Sequence, residues 1–202
     1  MRAGVLFSGG KDSALAALML SRDYEVELNT FVFSRSKDLT AVRRAAEALS
    51  FPLFVREFGG SVLEEAIRLI TARGYPNDAI NMVHRQAIRM LCREYRVVGD
   101  GTRFNDRVPM LGRGEVQQLR DTCACNYVRP LLGFPKDEVD RLAHRAFLVI
   151  HGETGTIENG DYESGIRTAM REKGLEPVGL FPPHHEQSLV LGRNKECVGE
   201  VI

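Results

Sequence analysis

Tryptophan is absent from the 202 residues, and only five of the 27 basic side chains are lysine. Cysteine is scarce: Cys92, Cys123, Cys125 and Cys197 are the whole set, too few to staple a chain of this length, which excludes a disulfide scaffold. Excess charge of either sign is missing, with 27 basic against 27 acidic residues. That balance argues against a general nucleic-acid coat protein, although a local basic face stays open. No long apolar run occurs. The longest, Ala14 to Leu20, falls far short of the roughly 20 residues that cross a bilayer. A glycine pair soon interrupts the run after Met1-Arg2, so no signal peptide is expected. The chain reads as soluble and cytoplasmic, without a membrane partner, repeats or low-complexity tracts.

What is present suffices for a core: 44% of residues are apolar and 27% charged, the balance of a folded domain. Residues 1–150 alternate short β-rich runs with helical patterns. Strands are expected at 3–7, 26–33, 53–55, 96–100 and 127–132. Helices are expected at 12–22, 40–50, 61–73, 79–95 and 135–145. Ser61 with Glu64 would cap the third helix, and Pro135 would sit in the first turn of the fifth. Such alternation predicts parallel strands with right-handed crossovers, hence a doubly wound α/β sheet. After one more strand at 147–150 the texture changes. A helix at 161–173 and a hairpin pairing 189–191 with 198–202 are expected, making 151–202 a small C-terminal elaboration of the same domain.

Ser8-Gly9-Gly10-Lys11-Asp12-Ser13 falls between the first strand and the first helix, where α/β sheets bind ligands. It has the makings of an anion cradle. Two glycines let backbone come close, the first helical turn directs N–H groups and its dipole outward, Lys11 adds a cation, and Ser8 and Ser13 add hydroxyls. The ordinary ATPase loop is not the match, because Val5 stands six residues before Lys11 and Asp12 follows it.

The hexapeptide resembles the pyrophosphate loop of the PP-loop, or N-type, ATP pyrophosphatases, a superfamily of adenine nucleotide alpha-hydrolase-like fold. Two further segments are similar to that superfamily. One is Val98-Gly99-Asp100-Gly101-Thr102-Arg103-Phe104-Asn105-Asp106-Arg107; the other is Arg129-Pro130-Leu131-Leu132 followed by Pro135-Lys136-Asp137-Glu138-Val139. The likeness covers roughly 3–145 and departs at Phe104-Asn105-Asp106, where many members carry a paired Asp-Asp. It implies an ATP- and Mg²⁺-dependent adenylating enzyme that places AMP on an acceptor oxygen, releases pyrophosphate, and lets ammonia or a sulfur donor displace the AMP. Positioning and charge neutralisation dominate such chemistry.

On that resemblance Ser8, Gly9, Gly10, Lys11 and Ser13 would hold the phosphates, with Lys11 and Asp12 catalytic. Phe33 and Ser34 would line the adenine, Gly99, Asp100, Gly101 and Thr102 would approach the α-phosphate, and Asp12 with Asp106 would bind Mg²⁺. The acceptor is expected among tRNA bases, as in thiolation. An amide- or nitrile-forming ligase using ammonia and a non-catalytic nucleotide sensor are the alternatives. A homo-oligomer stays open.

Cys123 and Cys125 admit three readings: a persulfide acceptor with its resolving partner, part of a metal set with Cys92 or Cys197, or buried packing. In an extended segment the two sulfurs would share one side, among Arg120, Asp121 and Arg129. His184-His185-Glu186 could be ligands or a solvated turn, and His84 and His144 read as structural or surface residues.

Overall fold

The computed structural model describes residues 1–153, 156–182 and 186–194. Five parallel strands form the main sheet: β1 (Arg2–Leu6), β2 (Glu25–Val32), β3 (Leu53–Glu57), β4 (Val97–Gly99) and β5 (Asn126–Val128), in the order β3-β2-β1-β4-β5. This is the expected doubly wound α/β sheet, and its strand order reverses between β1 and β4. Central strands read as continuous apolar runs because both faces are covered; Ala3, Val5, Leu28 and Val98 are all fully buried.

Helices α1 (Lys11–Leu20), α2 (Thr40–Leu49) and α6 (Lys136–Ala146) pack on one face, burying Leu15, Val42, Leu49 and Val139. Helices α3 (Gly60–Arg73), α4 (Asn77–Leu91), α5 (Arg113–Cys123) and α7 (Tyr162–Glu172) share the other cluster through Ile67, Ile88, Leu119 and Met170. Helix α5 stands between the fourth and fifth strands, where no helix was expected. Its apolar side is just Val116, Leu119 and Cys123, too narrow a stripe to outweigh Arg113-Gly114 on periodicity alone. The expected caps also shift: Gly59, not Ser61, precedes α3, and Pro135 is the N-cap of α6.

The C-terminal part differs most from expectation. Strand β6 (Phe147–Glu153) pairs antiparallel with β7 (Glu186–Arg193) across α7, from Phe147↔Arg193 to Glu153↔Glu186. So 189–191 belongs to a longer strand whose partner is β6, while 198–202, its expected partner, lies outside the described residues. A division drawn at residue 150 falls inside β6. Phe147, Leu189 and Val190 join the cluster of Val5, Leu28 and Val42, so this small sheet shares its core with the main one.

Candidate functional site

The loop Ser8–Gly10 leaves the carboxyl end of β1 and enters α1 with Gly10 as N-cap. Gly9 adopts φ +87°, a left-handed conformation that a side chain would strain. Three hydroxyl contacts close the turn. Ser13 Oγ donates to the Gly10 carbonyl at 3.0 Å, and accepts from the Ser8 N–H at 3.3 Å. Gly10 N–H donates to Ser8 Oγ at 3.3 Å.

The C-terminal elements brace this loop from both sides. Gly160 N–H donates to the Ser8 carbonyl at 2.7 Å, and Val190 N–H to the Gly9 carbonyl at 2.9 Å. Ser188 Oγ, on β7, accepts the Lys11 N–H at 3.1 Å. The resulting cleft, about 420 Å³, is lined by Ser8, Gly10, Lys11, Asp12 and Ser13 together with Arg103, Lys136, Asn159, Asp161, Gln187 and Ser188.

Lys11 is 6% exposed, and its ammonium is held between Asp12 Oδ1 at 3.1 Å and Asp140 Oδ1 at 3.2 Å. Both of those carboxylate oxygens are buried without a hydrogen-bond donor. Asp12 is the carboxylate that lines the cleft beside the loop, facing Lys11 and, at 3.5 Å, Arg103. Asp12 therefore fits a magnesium site made of one carboxylate and substrate phosphates. Asp106 does not. Its Oδ1 accepts from the Arg103 guanidinium at 2.6 and 3.1 Å, and its Oδ2 accepts the Arg103 N–H at 2.7 Å. Arg103 also reaches Asp12 at 3.5 Å, so a guanidinium stands where a shared metal was expected. Among the described residues no three His, Cys, Asp or Glu side chains gather to hold a metal.

The other expected nucleotide contacts are not among the cleft-lining residues. Phe33 packs on Phe58 at 5.2 Å and lies under Gly165 of α7, and Ser34 is exposed. Asp100 is buried and bonded to His84, Tyr127 and the Thr102 N–H. Gly101 presses on the first turn of α1, and Gly99 on Leu20. These glycines let β4 and the segment after it pack against α1, beneath the Ser8–Gly10 loop.

The cysteines require a correction. Ala124 takes the left-handed C-cap of α5 (φ 52°), so Cys123 ends a helix and the two residues never share an extended segment. Cys125 is buried and disulfide-bonded to Cys92, while Cys123 is a half-buried thiol. Register places both far from the loop: Ala3 aligns with Val97 and Val97 with Asn126, which puts Cys125 at the amino edge of the sheet. At about 3.3 Å per residue the Ser8–Gly10 loop is roughly 15–20 Å away along the strands.

Several cleft residues escaped sequence reading. Asp140 lies one turn beyond Lys136 on α6, an i, i+4 pair that could have been noticed. Asp161 caps α7 through Ser164 N–H and receives Gln187 Nε2; burial raises its pKa. Lys37 donates to the Asp161 carbonyl at 3.1 Å and to Ser164 Oγ at 2.9 Å, and burial lowers its pKa. Nothing local marks Ser188, 177 residues from its partner. No helix among the described residues is long and apolar enough to cross a membrane.

The family model described as "Family of unknown function (DUF7411)" matches residues 1–192. The chain belongs to this family. An uncharacterized protein of Methanocaldococcus jannaschii, MJ0690, is 36% identical over 95% of this chain and 96% of its own length. A crystal structure described as a predicted subunit of tRNA methyltransferase, from the same species, superposes with a TM-score of 0.88 at 35% identity, covering 96% of this chain and 99% of that one. The U34-tRNA thiolase NcsA of Methanococcus maripaludis matches at 14% identity and TM-score 0.47, over 71% of this chain and 55% of its own.

Proposed function

We propose that the cleft binds ATP and adenylates an acceptor on tRNA, releasing pyrophosphate. The observation that carries this reading is the β1–α1 loop itself: Lys11 and Asp12 open onto the cleft at the reversal point of strand order, with two buried carboxylate oxygens on Lys11. The helix N-terminus and Lys11 hold the β- and γ-phosphates, and Arg103 lies within reach of the same anions. When bound, Mg²⁺ on Asp12 and the phosphate oxygens would neutralise the leaving pyrophosphate. A phosphate oxygen taking the Lys11 N–H displaces the Ser188 hydroxyl, so β7 shares in nucleotide binding. The tRNA acceptor is supported by the printed description of the 35%-identical structure. The distance of Cys123 and Cys125 from the loop, and the pairing of Cys125 with Cys92, favour a nucleophile such as ammonia over a persulfide carried on either of those two residues.

The test is pyrophosphate release from ATP with Mg²⁺ and tRNA. Lys11→Ala and Asp12→Ala should each lower it by at least about 10²-fold. Full activity in either variant, or release of ADP and phosphate instead, would overturn the assignment.

A further inference from the structure

At the rim of the cleft two histidines meet head to head. His144, in the last turn of α6, and His151, in β6, bring their Nε2 atoms to 3.4 Å with ring planes 11° apart. The opposite nitrogens settle both tautomers. His144 Nδ1 lies 2.7 Å from the Asp140 carbonyl oxygen, which can only accept, so Nδ1 carries the proton. His151 Nδ1 lies 3.1 Å from Glu186 Oε1. The Lys136 ammonium lies 2.9 Å from the other Glu186 oxygen, an ion pair that leaves Oε1 as the acceptor of the His151 Nδ1–H. With Nδ1–H anchored in each ring, Nε2 is the nitrogen left to coordinate, and the two Nε2 atoms face each other.

We infer that His144 and His151 form a binding site for a divalent transition metal of the zinc type. An Nδ1–H anchored on a carbonyl or carboxylate is the arrangement that fixes a ligating imidazole. The 3.4 Å spacing exceeds the roughly 2.9–3.0 Å of a good N–H hydrogen bond. It matches the ligand–ligand edge of a tetrahedral centre with bonds of about 2.0–2.1 Å, which is roughly 3.3–3.4 Å. Imidazole selects zinc, copper or nickel over magnesium, so this site is distinct from any Mg²⁺ held at Asp12. Two protein ligands leave two positions for water or a substrate oxygen, and His151 itself lines the cleft.

Calorimetric titration of the chelator-treated full chain with ZnCl₂ should find one Zn²⁺ per chain. His144→Ala and His151→Ala should each weaken binding at least about tenfold, and Glu186→Gln about tenfold by replacing the charged anchor of the His151 ring with a neutral amide. Zn²⁺ should also shift the Nε2 resonances of both histidines in the unaltered chain, which does not depend on any variant folding. His184 and His185 are unchanged in these variants. Binding that survives both alanine substitutions, unmoved Nε2 resonances, or no binding at all would overturn the site.

Discussion

A carboxylate cut off from water must be held by donors, and Asp100 has three: His84 Nε2 at 2.7 Å, Tyr127 Oη at 2.5 Å and the Thr102 N–H at 3.0 Å. Desolvation pushes its pKa up, but the His84 pair and these hydrogen bonds outweigh it, and the net direction is down. The unfolded chain, with an ordinary Asp pKa of about 3.9, takes up the proton first as pH falls. The stabilisation is therefore whole above about pH 4 and disappears as pH drops through the lower folded value. Asp100→Asn should cost about 3 kcal/mol in urea unfolding at pH 7, and the gap to the unaltered protein should narrow below about pH 4. A gap that stays constant down to pH 3 would show that Asp100 is not ionised in the folded protein. Local sequence placed Asp100 in a ligand-facing stretch; only its long-range partners show that it works inside the fold.

Between elements, β4 and the residues just after it pack tightly against α1. A Cβ on Gly101 would stand 2.6 Å from the Asp12 carbonyl carbon and 2.7 Å from the Ser13 nitrogen, both backbone. One on Gly99 would meet the Leu20 Cδ1 methyl at 2.5 Å, the movable end of a side chain. Both substitutions overpack, yet only Gly101→Ala must push the first turn of α1. It should cost about 2–3 kcal/mol by chemical denaturation and weaken ATP binding, whereas Gly99→Ala should cost about 1 kcal/mol with binding unchanged. Equal effects would mean that the α1 turn yields as easily as the Leu20 methyl. Strand–helix alternation was legible because β1 is a short continuous apolar run and α2 carries a strong helical period. Helix α5 was not, since its stability comes from Leu119 entering a core assembled by α4 and β5.

Across the whole molecule, the β6–β7 sheet is part of the main structure. Leu189 and Val190 share a cluster with Val5, Val32 and Val42, and the backbone of β7 bonds to the phosphate loop. We expect one cooperative unit. Under native-state hydrogen exchange, amides of β6 and β7 should open with a free energy within about 1 kcal/mol of those in β1 and β2. Earlier exchange of β6 and β7 would mark them as a separately unfolding appendage.

The sequence by itself determined the α/β alternation, the parallel sheet and the position of the phosphate loop. These depend on residues within one strand–helix unit: apolar runs, a glycine pair, a lysine at the start of a helix. Tertiary structure alone decided what surrounds that loop. Lys11 meets Asp140 from α6, its N–H meets Ser188 from β7, Cys125 goes to Cys92, and His144 faces His151. Each pairing joins side chains from different elements, and such contacts leave no period or spacing in the chain because packing, not neighbourhood, brings them together.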